Sequence, residues 1–191
     1  NLTQGTYVAG GFAREAGFSG DGAEIWHKGP LPATQRMRRM PLVGGPWRPF
    51  LGDLTHSVAW SPDGRRIAVA VRKDGRQTLR VGAGDGSGMR PLGETLDVRG
   101  AADWSPDGRW IATGGIDSKG AGLFKIPVDG GMPVRLVAGA ALNPVWSPDG
   151  TIIAYQGANV GGREPLKAVA ADGADIEQVH LSVRVDADHH M

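Results

Sequence analysis

The tetrapeptide Ser-Pro-Asp-Gly occurs three times in this 191-residue chain and places a hydroxyl group close to a carboxylate each time. Serine can act as a nucleophile, so Ser61, Ser105 and Ser147 are the first candidates for chemistry. None of them lies in the Gly-x-Ser-x-Gly sequence of a hydrolase nucleophile elbow. A tight turn explains the same residues, because Pro presets φ and Gly accepts a positive φ. We therefore interpret these serines as turn residues, together with the aspartates of the same turns, Asp63, Asp107 and Asp149.

Metal-ligand side chains occur at the end of the chain, where the sequence contains Asp186, Asp188, His189 and His190. Adjacent residues of a strand point to opposite faces, so these two histidines are poorly placed to share one ion. The segment 172–177 faintly resembles a calcium loop but lacks the required ligand spacing, and a hairpin turn explains it better. We predict no metal site, no cofactor and no catalytic residue.

A basic cluster contains Arg36, Arg38, Arg39 and Arg48. It could bind an acidic partner or a phosphate, but a solvated outer strand is the more common explanation. The Gly-rich segment Gly82–Gly88 lacks the Lys-Ser/Thr pair that follows a phosphate-binding loop, so we interpret it as a hairpin.

An aromatic residue precedes each Ser-Pro-Asp-Gly, at Trp60, Trp104 and Trp146, and a weaker copy begins at Phe18. These aromatic residues are 42, 44 and 42 residues apart. A fixed period of this size indicates a repeated supersecondary unit. A feature that is present in every unit is architecture rather than an active site, which normally occurs once.

Each unit contains four short apolar segments separated by Gly-rich or Pro-rich turns, which predicts four β-strands. In the third unit the strands are expected at 101–105, 109–115, 122–128 and 133–137, and in the fourth unit the last strand is expected at 176–181. The run Ile67–Val71 is apolar on both faces and therefore needs cover on both faces. The sequence predicts an all-β fold of four-stranded antiparallel blades stacked as a β-propeller, with the aromatic residue as a wedge between blades.

The segment Asn143–Ala154 and the later turn Val128–Gly131 resemble the repeat of TolB-type β-propellers. Propellers of this type occur in the periplasmic TolB protein, in C-terminal regions of bacterial kinases and regulators, and in prolyl-oligopeptidase-type peptidases. The resemblance implies a bacterial, non-catalytic protein-interaction or sensor module that is not itself an enzyme. The alternative is the propeller domain of a peptidase whose catalytic domain lies outside this chain.

The repeats are expected at about 10–52, 53–94, 95–138 and 139–181, with 182–191 beginning a further repeat. We expect these four blades to be part of a larger ring of about six to eight blades. Two alternatives are that the four blades close on themselves, or that two chains pair into one ring. A part-ring exposes strand edges and apolar faces, which favours self-association through the open blade edges.

Propellers usually bind ligands at the mouth of the central channel, near the start of each innermost strand. The residues expected there differ from blade to blade, as a binding surface requires, and they are Glu15, His56, Arg99 and Asn143. These four residues are the predicted binding site.

The net charge is +1, from 21 basic and 20 acidic residues, which argues against nucleic acid as a partner. No apolar run reaches the roughly 18 residues of a membrane span, so membrane insertion is not expected. The expected partner is a protein. The absence of cysteine leaves the compartment open, and the resemblance slightly favours the periplasm or another extracytoplasmic location.

Overall fold

The computed structural model describes residues 15–28, 37–52, 55–174 and 181–184, and these ranges contain sixteen β-strands and no helix. The first sheet contains β1 (Glu15–Phe18), β2 (Glu24–Lys28), β3 (Met37–Pro41) and β4 (Arg48–Leu51). The second contains β5 (Thr55–Trp60), β6 (Arg66–Lys73), β7 (Arg76–Ala83) and β8 (Arg90–Leu92). The third contains β9 (Asp97–Trp104), β10 (Trp110–Asp117), β11 (Gly120–Pro127) and β12 (Val134–Ala138). The fourth contains β13 (Ala141–Trp146), β14 (Ile152–Gly157), β15 (Arg163–Ala170) and β16 (Leu181–Arg184).

Every sheet is an antiparallel meander in which strands that are consecutive in the sequence are neighbours in space. The first strands β5, β9 and β13 lie beside one another, so they form the inner side of the stack. This arrangement confirms the all-β fold of four-stranded antiparallel blades. In the fourth sheet the described part of the last strand is Leu181–Arg184, and residues 176–180 of the strand predicted at 176–181 lie outside the described residues. No local signal fixes this strand, which is defined by its pairing with Arg163–Leu166 of β15.

The turn between the first and second strands has one geometry in all four sheets. In the third sheet, Ser105 Oγ donates a hydrogen bond to Asp107 Oδ1 over 2.6 Å and accepts the Trp110 N–H over 2.9 Å. The N–H of Gly108 donates to the Ser105 carbonyl oxygen over 2.8 Å, and Gly108 has a φ of 68°. A positive φ is favourable only for glycine and a few small polar residues, which explains why Gly ends the motif.

The weaker copy has Gly20 where the other three copies have proline. A Cβ atom on Gly20 would lie 2.3 Å from Gly64 Cα of the next sheet's turn. The turns of the first and second sheets therefore touch backbone to backbone, and a proline ring at Gly20 would not fit.

The predicted wedge between sheets is confirmed at Trp104, whose side chain is 4 % exposed. Its Nε1–H donates to the carbonyl oxygen of Ala59 in the second sheet over 3.0 Å. The guanidinium carbon of Arg66, also in the second sheet, lies 5.0 Å from the centroid of the Trp104 rings. Trp146 occupies the same position one sheet later, where it packs in a cluster with Ala112 of the third sheet.

The core lies between sheets. Ala68, Leu79 and Val81 of the second sheet pack against Trp104 and Ile111 of the third. The backbones also approach closely, because a Cβ atom on Gly114 would lie 2.0 Å from the Ala141 carbonyl oxygen. Burial of each sheet against its neighbours explains why the second strands are apolar on both faces.

Candidate functional site

The repeated serines and aspartates are satisfied inside their own turns. The hydroxyl of Ser105 holds the pKa of Asp107 down to about 2, aided by the backbone N–H of Arg109. The hydroxyl of Ser147 and the N–H of Thr151 likewise lower the pKa of Asp149 to about 2. A carboxylate with such a low pKa is a poor general base near neutral pH. The geometry confirms that these residues are structural.

The four predicted binding residues lie in the first strand of each sheet, but not at equivalent positions. Glu15 and Asn143 stand three residues before the aromatic residue of their repeat, His56 stands four before, and Arg99 stands five before. Glu15 pairs with Lys28 across the first sheet. The side chains of Glu15 and His56 lie outside the described residues, so the structure defines side-chain geometry at Arg99 and Asn143 alone.

The first strands of three sheets are bulged at the level of the predicted site. In β5, Thr55 and Ser57 pair with consecutive residues of β6, which leaves His56 as the extra residue. In β9 the shift lies between Arg99 and Ala102, and in β13 it lies between Leu142 and Val145. A bulge redirects side chains away from the regular alternation, and bulges are over-represented beside active sites. The bulged segments 55–57, 99–102 and 142–145 are called the inner rim below.

Arg99 is held in place at the inner rim by Asp97. The guanidinium Nη2 of Arg99 lies 2.5 Å from Asp97 Oδ2, and the Arg99 side chain is 42 % exposed. The other oxygen, Asp97 Oδ1, accepts the backbone N–H of Gln77 from the second sheet over 2.9 Å. The guanidinium of Arg99 is therefore exposed to solvent and held by Asp97. The Asp97 carboxylate is in turn fixed by its hydrogen bond to the second sheet.

Asn143 links the rims of the third and fourth sheets. It has a φ of 49°, a conformation that asparagine tolerates better than most residues. Its Oδ1 accepts the N–H of Ala101 over 3.0 Å, and its Nδ2 donates to Gln156 Oε1 over 2.9 Å. Gln156 Nε2 in turn donates to the carboxylate of Glu164. The rim at Asn143 is a connected hydrogen-bond network that spans β9, β13, β14 and β15.

Sequence reasoning missed several residues around this site, namely Asp97, Gln156 and Glu164, because each has a hydrogen-bond partner on another strand. It also missed Asp103, whose Oδ2 accepts the Trp146 N–H from the next sheet over 2.8 Å. Burial raises the pKa of Asp103, although the hydrogen bonds it accepts oppose the shift. A signal for Asp103 was present, because the residue before the tryptophan is apolar in the other two full copies.

The basic cluster on the first sheet is partly neutralised. Arg39 and Arg48 both pair with the carboxylate of Glu24, the former over 3.2 Å. Arg38 is exposed, and Arg36 lies outside the described residues. Two of the four arginines therefore have a local counter-ion, which weakens the case for a phosphate site here.

Among the described residues, no group of three or more His, Asp or Glu side chains is arranged to hold a metal ion. The His-rich end, 186–190, lies outside the described residues. The part of the chain that the structure describes also has no helix that is long and apolar enough to cross a membrane.

Comparisons with solved structures define the architecture. A protein provisionally named TolB from Agrobacterium tumefaciens matches with a TM-score of 0.72 and 23% identity, covering 87% of this chain and 66% of that protein. TolB from Acinetobacter baumannii matches with a TM-score of 0.71 and 14% identity, covering 89% of this chain and 43% of that protein. The chain folds as part of a β-propeller. At these identities the likeness establishes the fold alone.

The chain also matches a family model, a further solved structure and a curated bacterial protein. The family model of the WD domain, G-beta repeat (WD40), matches residues 91–119. Dihydro-heme d1 dehydrogenase NirN matches with a TM-score of 0.59 and 19% identity, covering 88% of this chain and 37% of that protein. An uncharacterized protein of Agrobacterium fabrum (strain C58) is 27% identical, over 62% of this chain and 41% of its own length. This bacterial relative agrees with the expected bacterial origin. The chain spans less than two thirds of the length of each of these four proteins.

Proposed function

We propose that this chain is a non-catalytic protein-interaction or sensor module of the TolB-type repeat family that acts outside the cytoplasm. One observation carries the proposal. The first strands of three adjacent sheets bulge at the same level, and each bulge carries different residues, while the repeated Ser and Asp side chains are satisfied internally. A variable surface on a repeated, rigid scaffold is typical of recognition sites.

The inner rim suits a protein partner. Arg99 offers a fixed cation with exposed donors, and arginine is enriched at the energetic centres of protein interfaces. Asn143 and Gln156 offer amide groups that are held by a network rather than free to rotate. Fixed polar groups lose little conformational entropy when a partner binds, so they contribute to affinity at low cost.

Site-specific photo-cross-linking tests the proposal. A benzophenone side chain is introduced at Arg99 on the inner rim and, as the matched control, at the exposed Val134 on the outermost strand of the same sheet. Each protein is irradiated in a periplasmic extract of the source bacterium. We expect one defined protein to cross-link from position 99 and not from position 134. Equal cross-linking from both positions, or none from position 99, would count against a rim-bound protein partner.

The peptidase alternative makes a different prediction. It requires a hydrolase domain in the polypeptide outside residues 1–191, and it predicts that the whole protein cleaves short peptides. The gene sequence on both sides of this segment, followed by a peptide-cleavage assay of the whole protein, distinguishes it from the interaction module.

A further inference from the structure

The two ends of the sheets carry opposite charge, although the net charge of the whole chain is only +1. One end contains the Ser-Pro-Asp-Gly turns and the turns between the third and fourth strands, and it is called the turn end. The exposed aspartates of these turns are Asp63, Asp85, Asp107, Asp129, Asp149 and Asp172. Among the described residues they outnumber the exposed arginines of the same end, which are Arg48, Arg65, Arg90 and Arg109. The turn end is therefore acidic.

The opposite end contains the inner rim and the hairpins that join the second strand of a sheet to the third, and it is called the rim end. Its exposed cations include Arg72, Arg76, Lys119 and Arg163. Among the described residues, the exposed acids of this end are Asp74 and Glu94. The exposed surface of the rim end is therefore basic.

The other described acids of the rim end already have partners. Asp97 pairs with Arg99, and Asp117 accepts a hydrogen bond from the guanidinium of Arg135. Glu164 accepts a hydrogen bond from the side-chain amide of Gln156. These carboxylates are committed to partners within the chain, so they oppose the exposed cations less than free acids would.

The basic side chains are grouped where the second and third sheets meet. The backbone N–H of Gln77 donates to Asp97 Oδ1 over 2.9 Å, and Oδ2 of Asp97 holds Arg99. Arg76 precedes Gln77 in β7, and Arg72 pairs with Gln77 across β6. Arginines from two sheets therefore lie around one hydrogen bond. Arg72, Arg76 and Arg99 are called the arginine group below.

The hairpin that carries Arg72 and Arg76 has a defined backbone. Lys73 pairs with Arg76, so the loop consists of Asp74 and Gly75. Both loop residues have a positive φ, 50° and 79°, as in the tight two-residue turn that suits a hairpin. The backbone therefore holds the two arginines at a fixed spacing, which lowers the entropic cost of binding a partner.

We propose that the rim end binds an acidic segment of the protein partner and that the arginine group is its main contact. This proposal rests on the proposed function, because it names the chemistry of the partner that the inner rim binds. Arginine forms paired hydrogen bonds with carboxylates, and complementary charge speeds encounter and disfavours partners of the wrong sign. The acidic turn end repels the same segment, so the partner is directed to one end of the sheets.

A protein segment fits this surface better than a nucleic acid does. Asp74 and Glu94 interrupt the cations of the rim end. A nucleic acid carries an unbroken row of phosphate charges, which these two acids would repel. A peptide with spaced carboxylates can place neutral residues opposite them.

Fluorescence anisotropy with labelled probes tests the proposal. The probes are a peptide of alternating Glu and Ser, the same peptide with Gln in place of Glu, and single-stranded DNA of the same charge as the Glu peptide. At low salt the Glu peptide should bind and the Gln peptide should not, and added salt should weaken the binding because it screens exposed charges.

Two double variants locate the binding site. Arg72→Glu with Arg76→Glu should weaken binding of the Glu peptide at least tenfold. The matched control, Arg65→Glu with Arg109→Glu, makes the same change of charge at exposed arginines of the turn end and should have a much smaller effect. Far-UV circular dichroism and thermal unfolding confirm that each variant is folded.

Equal weakening by the two double variants, no binding of the Glu peptide, or tighter binding of the DNA than of the Glu peptide would overturn the proposal. Cross-linking from position 99 separates this proposal from the proposed function. A protein that cross-links there through a segment without acidic residues would overturn the acidic-segment proposal and leave the interaction module standing. Absence of any cross-link from position 99 would count against the module itself.

Discussion

Replacing Trp104 by alanine tests whether the repeated aromatic residue holds neighbouring sheets together. The ring is 4 % exposed between the second and third sheets. It packs beside Ala68, Leu79 and Ile111, and its Nε1–H bonds the Ala59 carbonyl oxygen over 3.0 Å. The substitution leaves a cavity in this interface and removes the hydrogen bond.

Truncation of a buried aromatic side chain to alanine costs about 3–5 kcal/mol, and the unpaired carbonyl of Ala59 contributes about 1 kcal/mol within that range. In a domain of this size each kcal/mol lowers the melting temperature by about 2–4 °C, so Trp104→Ala should lower it by roughly 6–20 °C. The matched control is Phe18→Ala, which removes the aromatic residue from the same repeat position. Because Phe18 is 60 % exposed, its loss should cost less than about 1 kcal/mol.

The assay is urea unfolding followed by circular dichroism, in protein dilute enough that self-association does not contribute. Similar denaturant slopes for the three proteins would show that the free energies are comparable. The reasoning would be refuted if Trp104→Ala cost less than about 1 kcal/mol, or if Phe18→Ala cost as much as Trp104→Ala.

Three further predictions concern the turns and the contacts between sheets. Gly114→Ala places a methyl group 2.0 Å from the Ala141 carbonyl oxygen of β13 and should destabilise the fold by about 1–3 kcal/mol. The control Gly115→Ala, whose methyl group would lie 3.3 Å from its nearest atom, should cost less. Equal shifts in melting temperature for the two variants would contradict the close packing at Gly114. Ser105→Ala should cost about 1 kcal/mol in urea unfolding and raise the pKa of Asp107 from about 2 towards 3.8 in an NMR titration. In the unaltered chain the stability that comes from this low pKa is present above pH 3.8 and is lost as the pH falls to about 2, and the variant should lack most of it; an unchanged pKa would show that Ser105 is not the cause. Burial raises the pKa of Asp103, so the free energy of unfolding should fall as the pH rises from 3.8 through that higher pKa. Asp103→Asn should flatten this part of the plot of melting temperature against pH. An unaltered plot would show that Asp103 does not cause the fall.

Much of the fold could be predicted from the sequence because its signals are local. The turn at Ser105–Gly108 depends on Pro, Asp and Gly within four residues, and the period of the aromatic residues places the sheets. The strand Leu181–Arg184 has no such local signal, because it is defined by pairing with β15. Pairing partners are distant in the sequence, and the segment contains no turn motif that would set its register.

The candidate site could be predicted in part. Arg99 and Asn143 stand out because they interrupt a repeat, and both lie at bulges in the inner strands. The bulges themselves were not predictable, since they are mismatches in cross-strand register rather than local sequence features. Asp97 and Glu164 were missed for the same reason, because each acts on a side chain or backbone group of another strand.

The most direct test of the account compares the inner rim with the repeated turns. Binding of the protein that cross-links from position 99 is measured by calorimetry for two double variants, at a temperature where both are folded. One changes the rim, by Arg99→Ala with Asn143→Gly, and the other changes the turns, by Ser105→Ala with Ser147→Ala. The account predicts that the rim variant loses at least tenfold in affinity, while the turn variant binds normally and only melts earlier. Lost binding in the turn variant together with normal binding in the rim variant would contradict it.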